Sequence, residues 1–119
     1  MDISHVSGML LALFKHWAVT PHEQLVLLGL PAADLHQLKC LQRGEPIPVE
    51  LDTLTRAGHL LGIHAALRSL FPKNPDLAYT WARRQNLAFA GRAPIEIMLG
   101  GMPGIVQVRG YLEDQCRDN

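Results

Sequence analysis

"ELDTLTRAGHLLGIHAALRSLF", residues 50 to 71, is the stretch on which the fold turns. Leu51, Leu54 and Leu61 recur on one stripe, and Leu60, Ile63, Leu67 and Leu70/Phe71 on another. Apolar residues at steps of three and four mark a helix with a buried face. Two such stripes put neighbours on two sides of the helix, so this element joins the two halves of the chain. "PKNP", residues 72–75, stops it, because proline neither donates to nor fits inside a helix.

Upstream, Ile3, Val6, Leu10, Leu13/Phe14 and Trp17 write one apolar stripe on a first helix. "TPHEQLVLLGLP", residues 20–31, opens a second. Thr20 and Glu23 have the spacing of a capping box, and Pro21 sits at the first helical position, where its missing N–H costs nothing. Gly29 suits a left-handed stop and Pro31 discourages continuation. A third helix is written by "AADLHQLKCLQRG", residues 32–44, with Leu35, Leu38 and Leu41/Gln42 on alternating turns and Gly44 at its end; "EPIP" then connects it to the long helix. Downstream, the pattern predicts a short helix over 76–84, an ordered loop over 85–93, another short helix over 94–99 and a last one over 103–115 that buries Ile105, Val108 and Leu112. "GGMPG", residues 100–104, reads as a flexible hinge before that last helix. No strand pattern longer than a few residues and no internal repeat interrupts this. The fold class expected is all-α, with about seven helices.

Composition narrows the function. The 119 residues are 48% apolar and 18% charged, which predicts one packed globular unit and not a disordered chain. Formal charge is zero, but residues 1–67 carry four Lys/Arg against six acids and residues 68–119 carry seven against five. Any basic surface therefore leans toward the C-terminal half. Cys40 and Cys116 form no CxxC, which argues against a disulfide scaffold or a zinc ribbon. The start lacks a basic leader region, and no apolar run approaches the length of a membrane span, so the expectation is a cytoplasmic protein.

A catalytic reading finds little support. All six histidines lie in residues 5–64, but only His36 and Cys40 share a helix face, and a structural zinc wants four ligands. The acids fall mainly at helix starts, where the macrodipole accounts for them. GxSxG, HExxH and a phosphate-cradling loop are all missing, so neither an enzyme nor a cofactor is expected.

Two short helices joined by a glycine-containing turn behind a scaffold helix are the arrangement of a helix-turn-helix. Its second helix would bring His36 and Gln37 near base edges, with Lys39 and Arg43 placed for phosphates. Asp34 and the net acidic half weaken that reading, since phosphate neutralisation supplies most non-specific affinity. Packing scaffold and DNA reader both stand as readings of the pair. In "YTWARRQNLAFAGRAP", residues 79–94, Trp81 and Phe89 read as core, while Asn86 and Gly91 belong to turns. Arg83, Arg84 and Arg92 on such a loop suit a partner bearing carboxylates.

The ordered set "GIHAALRSLFP", Trp81 with Arg83 and Arg84, Asn86, "FAGRAP", "MLGG" and "VRGYL", running across residues 60–114, resembles the toxin-binding domain of Xre/MbcA/ParS-type bacterial antitoxins. The preceding "EQLVLLGLPAADLHQL" is similar, more loosely, to the Xre-like helix-turn-helix that accompanies it. The resemblance implies an N-terminal helix-turn-helix region, 1–59, joined by the long shared helix to a C-terminal toxin-binding domain, 60–119. It further implies a cognate RES-domain toxin that consumes NAD, occlusion of that toxin's active site, a homodimer, and repression of the operon through operator DNA. Carried onto this chain, the toxin-contacting positions would be Arg83, Arg84, Arg92, Arg109, Tyr111 and Glu113, while Trp81, Asn86, Gly91 and Pro94 would shape the domain. Family members commonly carry a hydroxyl residue before the proline; Ala93 gives that helix cap up, a loss of about 1 kcal/mol. The rival reading is a stand-alone helix-turn-helix regulator whose C-terminal half only dimerises.

Overall fold

The computed structural model describes residues 3–31, 35–43 and 50–118, with the side chains of residues 3–5, 35, 37, 38 and 41 left aside. The expected stripe Leu35, Leu38 and Leu41, the Ala32-Ala33-Asp34 start, the Gly44 stop and the "EPIP" connector therefore lie outside what is described. The elements are α1 (Ile3–His16), α2 (Pro21–Leu27), α3 (Leu35–Gln42), α4 (Leu51–Leu70), α5 (Pro75–Thr80), α6 (Pro94–Leu99) and α7 (Met102–Asp118). Two 3₁₀ turns, Trp81–Arg83 and Leu87–Phe89, lie between α5 and α6. Among the described residues there is no β-strand, only an isolated bridge between Asn86 and Arg92.

Local chemistry sets the helix ends. Thr20 N–H donates to Glu23 Oε1 at 2.8 Å and Glu23 N–H to Thr20 Oγ1 at 3.1 Å, which completes the capping box of α2. Gly29 ends that helix with φ +71°, and a side chain there would also strike Arg56 and Asp52 of α4. Ala93 caps α6 with no side-chain hydrogen bond. The helix expected over 76–84 divides, since α5 stops at Thr80 and tightens into the 3₁₀ turn that holds Trp81. The "GGMPG" run is a close-packed corner and not an open hinge: the backbone of Gly104 lies so near Ile97 O that a Cβ could not be added. Helix α7 begins there and runs three residues past the expected end.

One apolar cluster spans the molecule. Leu60, Ile63 and Leu67 of α4 are fully buried together with Ile105, Val108 and Leu112 of α7, Met98 of α6, and Leu10, Leu13, Phe14 and Trp17 of α1. The other α4 stripe fares differently. Leu51 is 82% exposed, and Leu54 and Leu61 are half-buried. Leu54 and Leu61, with Val6, Ala57 and Gly58, line an apolar groove of about 200 Å³. The chain covers one stripe of its long helix and leaves much of the second at the surface.

Candidate functional site

The ordered loop after α5 hangs on three rings. Trp81, Phe89 and Tyr111 form a hub: Phe89 meets Tyr111 edge-on at 5.2 Å, Trp81 meets Phe89 edge-on at 6.3 Å, and Trp81 stacks on Tyr111 at 6.3 Å. Such pairs add to plain burial. Phe89 is 5% exposed, and Trp81 and Tyr111 are half-buried. Trp81 and Tyr111, with Leu70, Phe71, Leu112 and Gln115, line a cleft of about 270 Å³.

Backbone bonds lock the loop on this hub. Asn86 N–H donates to Arg92 O at 3.1 Å, and Asn86 O accepts from both Phe89 and Gly91 at 3.0 Å. The Asn86 side chain accepts from Ala88 N–H at 2.9 Å. Ala90 takes a left-handed conformation, φ 57°, which costs a non-glycine residue about 1 kcal/mol or more. The outcome is a rigid, strained loop presenting Leu87 at 95% exposure. Arg84 is exposed beside it and pairs with no acid among the described residues; Arg92 faces Glu96 across 3.5 Å with both side chains more than half exposed.

The six expected contact residues do not converge. Arg83 stays at the surface, with its side chain 38% exposed, but is tied back to the chain: its Nε donates to Trp17 O at 2.9 Å, and Nη2 donates to Ala18 O at 2.9 Å and to Glu23 Oε1 at 3.1 Å. Arg109 lies flat over Gly62 of α4, where a Cβ would come within 2.7 Å of its guanidinium. It donates to Glu113 Oε1 at 2.7 Å and reaches His59 Nδ1 at 3.1 Å. Arg109 and Glu113 thus clamp α7 to α4, while Tyr111 belongs to the hub. Only Arg84 and Arg92 share the exposed loop with Leu87. Leu87 itself was not singled out from the sequence, because a lone leucine within a turn-forming run carries no periodic signal.

His36 and Lys39 of α3 and Arg43 in the turn after it are exposed, and the Gln37 side chain lies outside the described residues. His36 Nε2 stands 3.7 Å from Cys40 Sγ, and no group of three potential metal ligands occurs among the described residues. Two titrations are shifted. The Thr20 N–H holds the Glu23 carboxyl below its usual range, against the opposing effect of burial and with Arg83 assisting. Burial, then Arg68 and His16, pull the His64 imidazole below its usual value. His64 lies near Tyr79, with ring centroids 6.4 Å apart, and Tyr79 stacks on His16 at 3.8 Å. The exposed loop presents one apolar knob and two guanidinium groups on a backbone held by its own hydrogen bonds.

Residues 66–115 match the family described as the antitoxin Xre/MbcA/ParS C-terminal toxin-binding domain. That segment runs from the end of α4 through most of α7 and contains the whole hub and loop. The chain is also 35% identical over 118 residues to the uncharacterised protein y4oB of Sinorhizobium fredii (strain NBRC 101917 / NGR234), covering 96% of this chain and 88% of that one.

Proposed function

The chain belongs to the Xre/MbcA/ParS antitoxin family, and from that premise we propose that it neutralises a RES-domain, NAD-degrading toxin by covering the mouth of the toxin's active site. A toxin-binding domain implies a cognate toxin, and the family is typically non-enzymatic. The observation that carries the reading is the preformed loop with Leu87 at 95% exposure between two exposed arginines. Occlusion needs no reactive group, only a surface that excludes substrate and water. Arg84, Leu87 and Arg92 make the direct contacts, with the exposed side of Tyr111 behind them. Arg83, Arg109 and Glu113 serve the same surface through the fold, by holding its supports in place.

The division into residues 1–59 and 60–119 falls inside α4, so the two proposed units share one helix. Operator binding and autorepression through α3 form the second part of the proposal, supported by the exposure of His36, Lys39 and Arg43. Self-association is supported by the exposed Leu51 and the half-buried Leu54 and Leu61 of the second α4 stripe, and sedimentation of the free chain tests it. No helix among the described residues is long and apolar enough to cross a membrane.

The decisive experiment is co-expression with the adjacent open reading frame. Co-purification of the two chains, with cellular NAD preserved only when the antitoxin is present, is the expected result. A lone gene with no toxin beside it, or a neighbour that neither binds nor depletes NAD, would instead favour the stand-alone regulator.

A further inference from the structure

Arg83 ties together positions that lie 60 to 66 residues apart in the chain. Its three acceptors all belong to the junction between α1 and α2. Trp17 O and Ala18 O stand where α1 has ended, and Glu23 Oε1 is the same oxygen that takes the Thr20 N–H in the capping box. Charge-assisted bonds from a planar fork are the strong and directional kind.

The junction needs such a hold. Ala18 is left-handed with φ 54°, a conformation that a non-glycine residue adopts at a cost. Trp17 Nε1 and Gln24 Oε1 are buried without a hydrogen-bond partner among the described residues, each an unfavourable contribution. Gln24 reaches the junction with its amide nitrogen only, donating to Val19 O at 3.3 Å. The turn that aims α2, and α3 behind it, is thus strained within its own segment and completed from the toxin-binding domain.

We propose that Arg83 is a positioning residue through which the C-terminal domain fixes the orientation of the α2–α3 pair, so that the helix pair is not an independent module. This goes beyond toxin capture and does not depend on it. A purely structural arginine would lower the stability of the whole molecule evenly. A positioning arginine releases α2 first.

Native-state hydrogen exchange on the full chain separates the two. In Arg83→Met, amides of α2 and its flanking turn exchange about tenfold faster or more, while those of α7 and the buried part of α4 keep their rates. Arg83→Lys retains the charge but loses the fork, so it gives intermediate rates, and it decides the matter should the methionine variant fail to fold. Arg84→Met, altering the exposed neighbour, leaves every rate unchanged. Unaltered α2 rates in the Arg83 variants, or an even acceleration across all helices, would overturn the proposal.

Discussion

Replacing Leu87 with alanine tests the proposed toxin contact at its most exposed point. The side chain is 95% exposed, so nearly all of its apolar surface is available to be buried in a complex. Full burial of a leucine is worth about 1.5–3 kcal/mol, which corresponds to about tenfold to about a hundredfold in Kd. The same exposure means that alanine removes almost no contact within the free chain, so its stability should change by no more than about 0.5 kcal/mol. Leu87→Asp should do more, because it would bring a carboxylate into an apolar socket without a partner. The assay is titration calorimetry of each variant against the purified toxin, with thermal melts of the free variants as the control. A Kd within about threefold of wild type for Leu87→Asp, with Tm unchanged, would refute the assignment of Leu87 as an anchor.

Three further outcomes follow from the same geometry. Arg92→Glu should weaken neutralisation in cells with the fold intact, since the exposed pair with Glu96 contributes about 1 kcal/mol at most; full protection by this variant would remove Arg92 from the contact. Ala93→Ser should restore an N-cap to α6, whose Ala93 has the extended backbone a cap requires, and raise stability by about 1 kcal/mol in denaturant melts; an unchanged midpoint would show that this buried position has no room for the hydroxyl. Stability should also fall on acidification in two stages. His64 binds its proton less readily folded than unfolded, so the first loss begins as pH falls through about 6.5, the unfolded value, and levels off below the lower folded one. Glu23 keeps its charge more readily when folded, so its contribution is present above pH 4.5 and is lost as pH falls through the lowered folded value. Urea melts of His64→Gln should lack the first stage and those of Glu23→Gln the second; a wild-type profile in both would contradict the assignment.

What the sequence made legible was what neighbouring residues decide among themselves. The capping box of Thr20 and Glu23, the stop at Gly29 and the buried Leu60, Ile63 and Leu67 stripe each depend on spacings of a turn or two, and all appear as expected. The resemblance across residues 60–114 and the matched segment 66–115 nearly coincide. Illegible were the matters settled by distant chain. Arg83 looked like a surface arginine beside Arg84, yet its acceptors lie around residues 17–23, and nothing within the local run encodes that. Arg109 is placed by the space above Gly62, a glycine that fits a helix pattern whatever packs on it. The "GGMPG" corner appeared flexible because glycines permit flexibility, whereas here they permit close approach to Ile97. Composition cannot distinguish the two uses.

The strain in the exposed loop bears on how an antitoxin of this kind achieves affinity. A loop that became ordered only on meeting its partner would lose binding energy to the entropy of ordering. Here Asn86 takes up three donors of its own loop, through its backbone carbonyl and its side chain, and the ring of Phe89 is sunk into the hub beside Tyr111. The left-handed Ala90 is therefore stabilised by folding, and its cost falls on the stability of the free chain and not on the complex. A small contact area carrying one leucine and two guanidinium groups can then suffice, because its geometry is fixed before encounter. On the proposed mode of binding, the hub determines neutralisation as much as the residues proposed to touch the toxin. Loosening it by Phe89→Ala should raise the dissociation rate even though Phe89 is buried and meets no partner.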